Sequence, residues 1–200
     1  IIECDAEAET LYNIFLKGSI MNYLQKFSGD CTLNQLKFNY SNSLAFWTIL
    51  TYMLDIGDRH SENIMISHNG IVFHIDYGVI FGKCNNILIP TIRLDKKLID
   101  ALGGLDEYPN FKKICIDIFL ILRKYTMLFF NLLNIINNIS IPFKDIQFNS
   151  DDIANLINTR FFIGQNDDEA SKSFDLLLDK SYDTIRILLS DLVHHYSKNK

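Results

Sequence analysis

The pair Asn69-Gly70 constrains this 200-residue chain more than any other feature. Asn-Gly is a strong hairpin signal, because the central positions of the tightest turns need a positive φ that few other residues accept. Ile64-Met65-Ile66 and Ile71-Val72-Phe73 flank the turn Ser67-His68-Asn69-Gly70 as two short apolar runs. The chain must fold back there, so residues at the two open ends of the hairpin become neighbours. Asn63 stands at one open end and Asp76 at the other. An amide oxygen and a carboxylate brought together make a hard-oxygen pair suited to Mg²⁺, an ion that takes few protein ligands and completes its shell with phosphate and water. Asp58 lies five positions before Asn63 in the polar loop 58–63, where it can face the pair and orient or polarise a hydroxyl. His60, in the same loop, is a general base or a phosphate-facing donor, since an imidazole exchanges its proton near neutrality.

The rest of the chain reads as helix. Residues 43–55 are apolar on nearly every side, so this helix belongs inside the fold. Ser41, Asn42 and Ser43 offer N-cap oxygens, and Asp55-Ile56-Gly57 ends the helix. Residues 9–28 form a short helical region closed by Gly29-Asp30. Residues 79–97 read as extended and loop-rich. From Leu98 onward the pattern is helical, with breaks near Gly103-Gly104, Tyr108-Pro109, Ile141-Pro142 and Gly164. Residues 172–196 carry an amphipathic stripe that can pack on the fold or touch a membrane surface. The expected fold class is mainly α with a small β-hairpin.

Bulk properties narrow the function. The apolar fraction of 48% argues against disorder, and the net charge of −5 argues against broad nucleic-acid binding. Cys4, Cys31, Cys84 and Cys115 have no zinc-type spacing and read as reduced thiols of a cytosolic protein. The start of the chain has no signal-peptide pattern. Residues 114–141 are too interrupted by Asp117, Arg123, Lys124 and asparagines to span a membrane, so a membrane partner would be met at its surface.

Protein kinases use a loop aspartate, an asparagine five positions later and a metal-binding aspartate across a hairpin. Here the order Asp58-Arg59-His60 differs from their His-Arg-Asp. The linked motifs Gly57-Asp58-Arg59-His60-Ser61-Glu62-Asn63-Ile64-Met65 and Phe73-His74-Ile75-Asp76-Tyr77-Gly78 resemble those of the phosphatidylinositol 3-/4-kinase family. Residues 78–104 are similar to the activation loop of its class III members, on Phe81-Gly82-Lys83, Ile89-Pro90, Arg93-Leu94-Asp95-Lys96 and Leu98-Ile99-Asp100-Ala101-Leu102-Gly103-Gly104. Gly18-Ser19-Ile20-Met21-Asn22-Tyr23, Leu122-Arg123-Lys124-Tyr125 and Leu128-Phe129-Phe130-Asn131-Leu132-Leu133 extend the likeness, which weakens after about Phe143.

The resemblance implies the C-terminal lobe of a lipid-kinase fold over residues 1–200. It would comprise a hinge remnant (1–8), a catalytic loop (57–65), an activation loop (76–104) and a helical part (105–200). It implies catalytic Asp58 and His60, with Arg59 bracing the loop or facing phosphate. Asn63 and Asp76 would hold Mg²⁺ or Mn²⁺. Met65, Ile75 and the hinge residues Glu3 and Cys4 would meet ATP. Lys83, Arg93, Lys96 and Lys97 would meet the inositol headgroup. The implied reaction is transfer of the ATP γ-phosphoryl to the 3-hydroxyl of phosphatidylinositol on endosomal or autophagosomal membranes, with a regulatory subunit as partner and no nucleic acid. A 4-kinase, a related protein kinase and an inactive binding module are the alternatives. The N-lobe with its Gly-rich loop and lysine would lie upstream of Ile1, and without it phosphoryl transfer should be slow. Against the family pattern, Tyr77 stands in place of phenylalanine and needs a partner for its hydroxyl. Asp55 stands in place of a frequent glycine and would either cap the helix or reach Arg59. His74 reads as structural, and His68 as an exposed turn residue. Met65 and Ile75 can equally be ordinary core.

Overall fold

The computed structural model describes residues 7–81, 92–138 and 150–182. The elements in chain order are β1 (Ala8–Thr10), α1 (Leu11–Lys17), α2 (Ile20–Phe27), α3 (Leu33–Met53), β2 (Ile64–Ser67), β3 (Val72–His74), α4 (Lys96–Leu102), α5 (Tyr108–Arg123), α6 (Thr126–Asn138), α7 (Ser150–Arg160) and α8 (Asp167–Ser181). The fold is mainly helical, as expected. Its sheet is larger than the expected hairpin by one strand: the order is β1-β2-β3, antiparallel throughout. β1 is three residues long and carries no periodicity of its own, so only its pairing of Glu9 with Ile66 defines it.

The helical region expected over 9–28 is two helices. Thr10 caps α1 and Ser19 caps α2, and between them Gly18 adopts φ 141, a backbone region that favours glycine. The Tyr23 hydroxyl on α2 donates to the Ile66 carbonyl of β2 at 3.1 Å and fixes this helix to the sheet.

α3 is the axis of the molecule, and it starts ten residues before the expected boundary. Its cap is Thr32, whose Oγ1 accepts from the Gln35 amide. The oxygens expected to cap it lie inside the helix. Asn42 Nδ2 donates to the Phe38 carbonyl at 2.8 Å, and Ser43 Oγ donates to the Asn39 carbonyl at 2.6 Å. The same Ser43 Oγ accepts from the Val72 amide at 2.8 Å and so joins α3 to β3. Most of the nearly all-apolar second half of α3 is inside, with Leu44, Ala45, Ile49, Tyr52 and Met53 buried, but Phe46 is exposed.

The hairpin tip is pressed onto the first half of this helix. Asn39 Nδ2 donates to the Asn69 carbonyl at 2.8 Å. Gly70 adopts φ +86, and a Cβ placed there would lie 2.8 Å from the Leu36 carbonyl oxygen. His68, expected to be exposed, is half-buried and stacks on Phe27 at 4.9 Å.

The remaining helices close the core. α4 begins two residues earlier than expected because Asp95 Oδ1 accepts from the Leu98 amide. Tyr108-Pro109 starts α5 rather than breaking a helix, since a proline is tolerated in the first turn. Phe119 of α5 stacks on Phe174 of α8 at 4.5 Å, and Phe129 meets Phe161 at 5.2 Å. α8 opens with a capping box between Asn166 and Glu169. It begins at Asp167 and not at residue 172, and the rest of the expected stripe, from residue 183, lies outside the described residues, as does Ile141-Pro142. Cys31 and Cys115 are free thiols, and burial pushes the Cys115 thiol up. No helix among the described residues is long and apolar enough to cross a membrane.

Candidate active site

The loop between α3 and β2 enters through strained backbone. Asp55 (φ 46) and Asp58 (φ 54) both lie in the left-handed region, and Asp76 (φ 57) does so after β3. Non-glycine residues rarely occupy that region outside functional turns. Three hydrogen bonds hold this shape at the loop's centre. Arg59 Nε donates to the Gly57 carbonyl at 2.7 Å, Nη1 to the Ile75 carbonyl at 2.8 Å, and Nη2 to the Asp76 carbonyl. Arg59 thus spans the two sequence motifs, with its donors turned to carbonyls of both. Its guanidinium also lies 5.7 Å from the Tyr77 ring. Burial pulls its pKa down, against the opposing charges of Asp58, Tyr77 and Asp76.

The hairpin brings the expected residues together. Ile64 pairs with His74, and the Ile75 amide donates to the Asn63 carbonyl at 3.0 Å. Asn63 thus sits opposite Ile75, one residue from Asp76. Asn63 Nδ2 donates to the Asp58 carbonyl at 2.9 Å, which fixes the flip of the amide and turns Oδ1 the other way. Asp76 is exposed, and its Oδ1 accepts from the Gly78 amide at 3.1 Å. The donor set, one amide oxygen and one carboxylate beside a loop aspartate, fits a hard divalent ion that keeps most of its shell for phosphate and water. Among the described residues no three His, Cys, Asp or Glu side chains cluster as a metal site, so nothing there competes as a soft-metal centre.

His60 is buried, and its Nε2 lies 3.8 Å from Asp58 Oδ2. Its Nδ1 accepts from the Glu62 amide at 3.2 Å. A neutral imidazole that accepts at Nδ1 carries its proton on Nε2, so the ring presents a donor toward Asp58. Of the two roles open to His60, this geometry favours the donor. His74 is structural: it stacks on Trp47 at 5.0 Å and 8°. Its Nδ1 has no hydrogen-bond partner among the described residues. Burial, then the charges of Arg59 and Arg93, bring its pKa down to about 3. The Tyr77 hydroxyl finds its partner in the His74 carbonyl at 2.7 Å.

Met65 and Ile75 lie on the outer face of the hairpin. Ile64, Ile66 and Val72 are buried, so the alternation of a strand puts Met65 and Phe73, which pair across the strands, and then Ile75 on the other side. Ile75 is 37% exposed, which makes this an open apolar face and not ordinary core. Sequence reasoning missed Phe73 there, although the same alternation pointed to it.

The headgroup residues separate. Arg93 is buried, donating from Nη1 to the Arg59 carbonyl and from Nη2 to Asp95 Oδ2, each at 3.1 Å. It turns inward, where contact with the inositol headgroup was expected. Lys96 pairs with Asp100 at 2.7 Å, and Lys97 lies 4.2 Å from the Phe15 ring centre; both are exposed on α4. Lys83, Glu3 and Cys4 lie outside the described residues.

Comparison with known proteins gives the family. Residues 4–145 match the family model described as phosphatidylinositol 3- and 4-kinase. The chain is similar to phosphatidylinositol 3-kinase pik3 of Schizosaccharomyces pombe, 30% identical over 191 residues, which covers 90% of this chain and 24% of the relative. It is 32% identical over 158 residues to phosphatidylinositol 3-kinase VPS34 of Candida albicans, covering 78% of this chain and 15% of the relative. It is 29% identical over 188 residues to the nodule isoform of phosphatidylinositol 3-kinase of Glycine max, covering 90% of this chain and 23% of the relative. The chain spans about a quarter or less of the length of these curated relatives.

Proposed function

This chain belongs to the phosphatidylinositol 3- and 4-kinase family, and from that we propose that it is the C-terminal lobe of an ATP-dependent phosphatidylinositol 3-kinase. Membership implies the use of ATP and a divalent metal. The 3-kinase reading is supported by the three relatives, each named as a phosphatidylinositol 3-kinase. The observation that supports it is the backbone pairing of Ile75 with Asn63, which brings the residue before Asp76 opposite Asn63, whose side-chain amide bonds the Asp58 carbonyl.

In this reading Asn63 and Asp76 hold Mg²⁺ or Mn²⁺. When bound, that ion neutralises phosphate charge. Asp58 orients the inositol 3-hydroxyl and takes its proton as the oxygen–phosphorus bond forms and the bond to the β-phosphate oxygen breaks. His60 Nε2–H steadies the Asp58 carboxylate or a γ-phosphate oxygen. Arg59 keeps the loop and the metal strand in register, and positioning of this kind is a main source of rate in phosphoryl transfer. Met65, Phe73 and Ile75 offer an apolar face to adenine. Lys83, Lys96 and Lys97 meet the headgroup. Endosomal or autophagic membranes, and a regulatory subunit, complete the proposal.

The test is a phosphotransfer assay on the chain within a protein of the length of its relatives, of which it spans about a quarter or less. Acceptors are phosphatidylinositol vesicles and a peptide, and the lipid product is analysed for the position of its phosphate. Label on the 3-hydroxyl, lost in Asp58→Ala, is the expected result. Label on the 4-hydroxyl or on peptide moves the chain to another branch of the family, and no label with intact protein makes it a binding module.

A further inference from the structure

Arg93 lies just before α4, near the end of the connection from β3. Its guanidinium is buried, and its contacts among the described residues include one on each side of the connection. Nη1 donates to the Arg59 carbonyl, while Nη2 meets Asp95 Oδ2. The pair is closed to water, with side chains 4% and 8% exposed. Asp95 is itself fixed, because its Oδ1 caps α4 at the Leu98 amide. Arg59 carries the connection onward to the carbonyls of Gly57, Ile75 and Asp76. The order of contacts is thus the start of α4, then Asp95, Arg93, Arg59, and finally the catalytic loop and the metal strand together.

A buried guanidinium demands partners for its donors, and removing it takes a donor from the Arg59 carbonyl and leaves the Asp95 carboxylate buried without its opposite charge. The contacts reach backbone groups of residues 57, 59, 75 and 76, so they act on where Asp58 and Asp76 stand. From this, and resting on the kinase reading above, we infer that Arg93 is a positioning residue. It clamps both ends of the segment after Asp76 to Arg59 and so sets the catalytic geometry from within, in place of binding the headgroup.

Two measurements test this. The first needs no activity: hydrogen exchange on the 200-residue chain, read at the Ile75 amide, which donates to Asn63. Arg93→Ala is expected to lower protection at Ile75 about tenfold more than at amides in the middle of α5. Arg93→Lys, which keeps the charge but not the two-directional fork, recovers part of it. Asp95→Asn retains a capping oxygen while removing the charge pair, so it is the variant to use if Arg93→Ala fails to fold, and it moves Ile75 in the same direction. Unchanged relative protection at Ile75 in these variants overturns the inference.

The second measurement is kinetic, in the same longer protein used for the phosphotransfer assay. Arg93→Ala should lower kcat about tenfold, with KM for phosphatidylinositol vesicles within about twofold of wild type. A raised lipid KM at unchanged kcat returns Arg93 to the headgroup and overturns the inference. A wild-type protein that transfers no phosphate counts against the kinase reading, and the exchange result then decides by itself whether Arg93 is the clamp.

Discussion

The Arg160 guanidinium at the end of α7 lies 2.6 Å from the Asp55 carboxylate and 5.1 Å over the Tyr52 ring. Asp55 therefore neither caps α3 nor reaches Arg59, the two roles its sequence position suggested. It ties the C-terminal helices to the first residue after Leu54, immediately before the catalytic loop. Its φ of 46 also explains why glycine suits the position: a Cβ is strained in the left-handed region.

Substitutions at position 55 should separate these two effects. Asp55→Gly loses the ion pair and relieves the backbone, whereas Asp55→Ala loses the pair and keeps the strain. Urea unfolding is expected to find the alanine variant about 1 kcal/mol less stable than the glycine variant. Arg160→Ala should cost less in either background than in wild type, as a double-mutant cycle would show.

Metal binding should depend on the two ends of the hairpin. Titrating Mn²⁺ into the isotopically labelled chain should broaden the Gly78 amide resonance, because that amide bonds Asp76 Oδ1. Asp76→Asn and Asn63→Ala should each weaken the effect about tenfold or more. Broadening that survives both substitutions would remove these residues from the metal site.

His74 makes stability depend on pH. Its folded pKa, about 3, lies below the ordinary value of 6.5 for histidine. Between those values the unfolded chain binds a proton that the folded chain refuses. Its contribution is thus complete above pH 6.5 and is lost as pH falls toward 3. From pH 6.5 to 5 the loss is about 2 kcal/mol. His74→Phe keeps a ring for Trp47 to stack on and removes the proton site. Unfolding curves at the two pH values should show that this variant loses correspondingly less.

Ser43 is a more consequential residue than the true cap of its helix. Ser43→Ala leaves the Val72 amide without its acceptor at the α3–β3 contact, at an expected cost of about 1–3 kcal/mol. Thr32→Ala removes an exposed cap worth about 1 kcal/mol. Thermal unfolding of the two variants tests that order.

The loop and the hairpin were legible because their information is local. Asn69-Gly70 dictates a turn, a turn dictates a register, and the register carries Asn63 to Ile75 without help from the rest of the chain. Where contacts come from afar the sequence misled. Ser41, Asn42 and Ser43 look like a helix start, but the oxygens of a helix interior can bond back to carbonyls a turn earlier, as Ser43 does. Asn34, Gln35 and Lys37 ahead of them are exposed residues of α3. β1 owes its existence to a partner more than fifty residues away. Arg93 was misplaced for a related reason. The family resemblance put it at the inositol headgroup, and only the fold supplies the carbonyl and carboxylate that draw it inside.

The seating of Gly70 against the Leu36 carbonyl has an evolutionary corollary. A saturation library at position 70 should return glycine almost alone, since every other side chain must push the turn off the helix. Any such shift would travel down the two short strands and misalign their open ends. Lineages carrying this chain can lengthen or shorten many surface connections, but this turn should tolerate neither insertion nor drift.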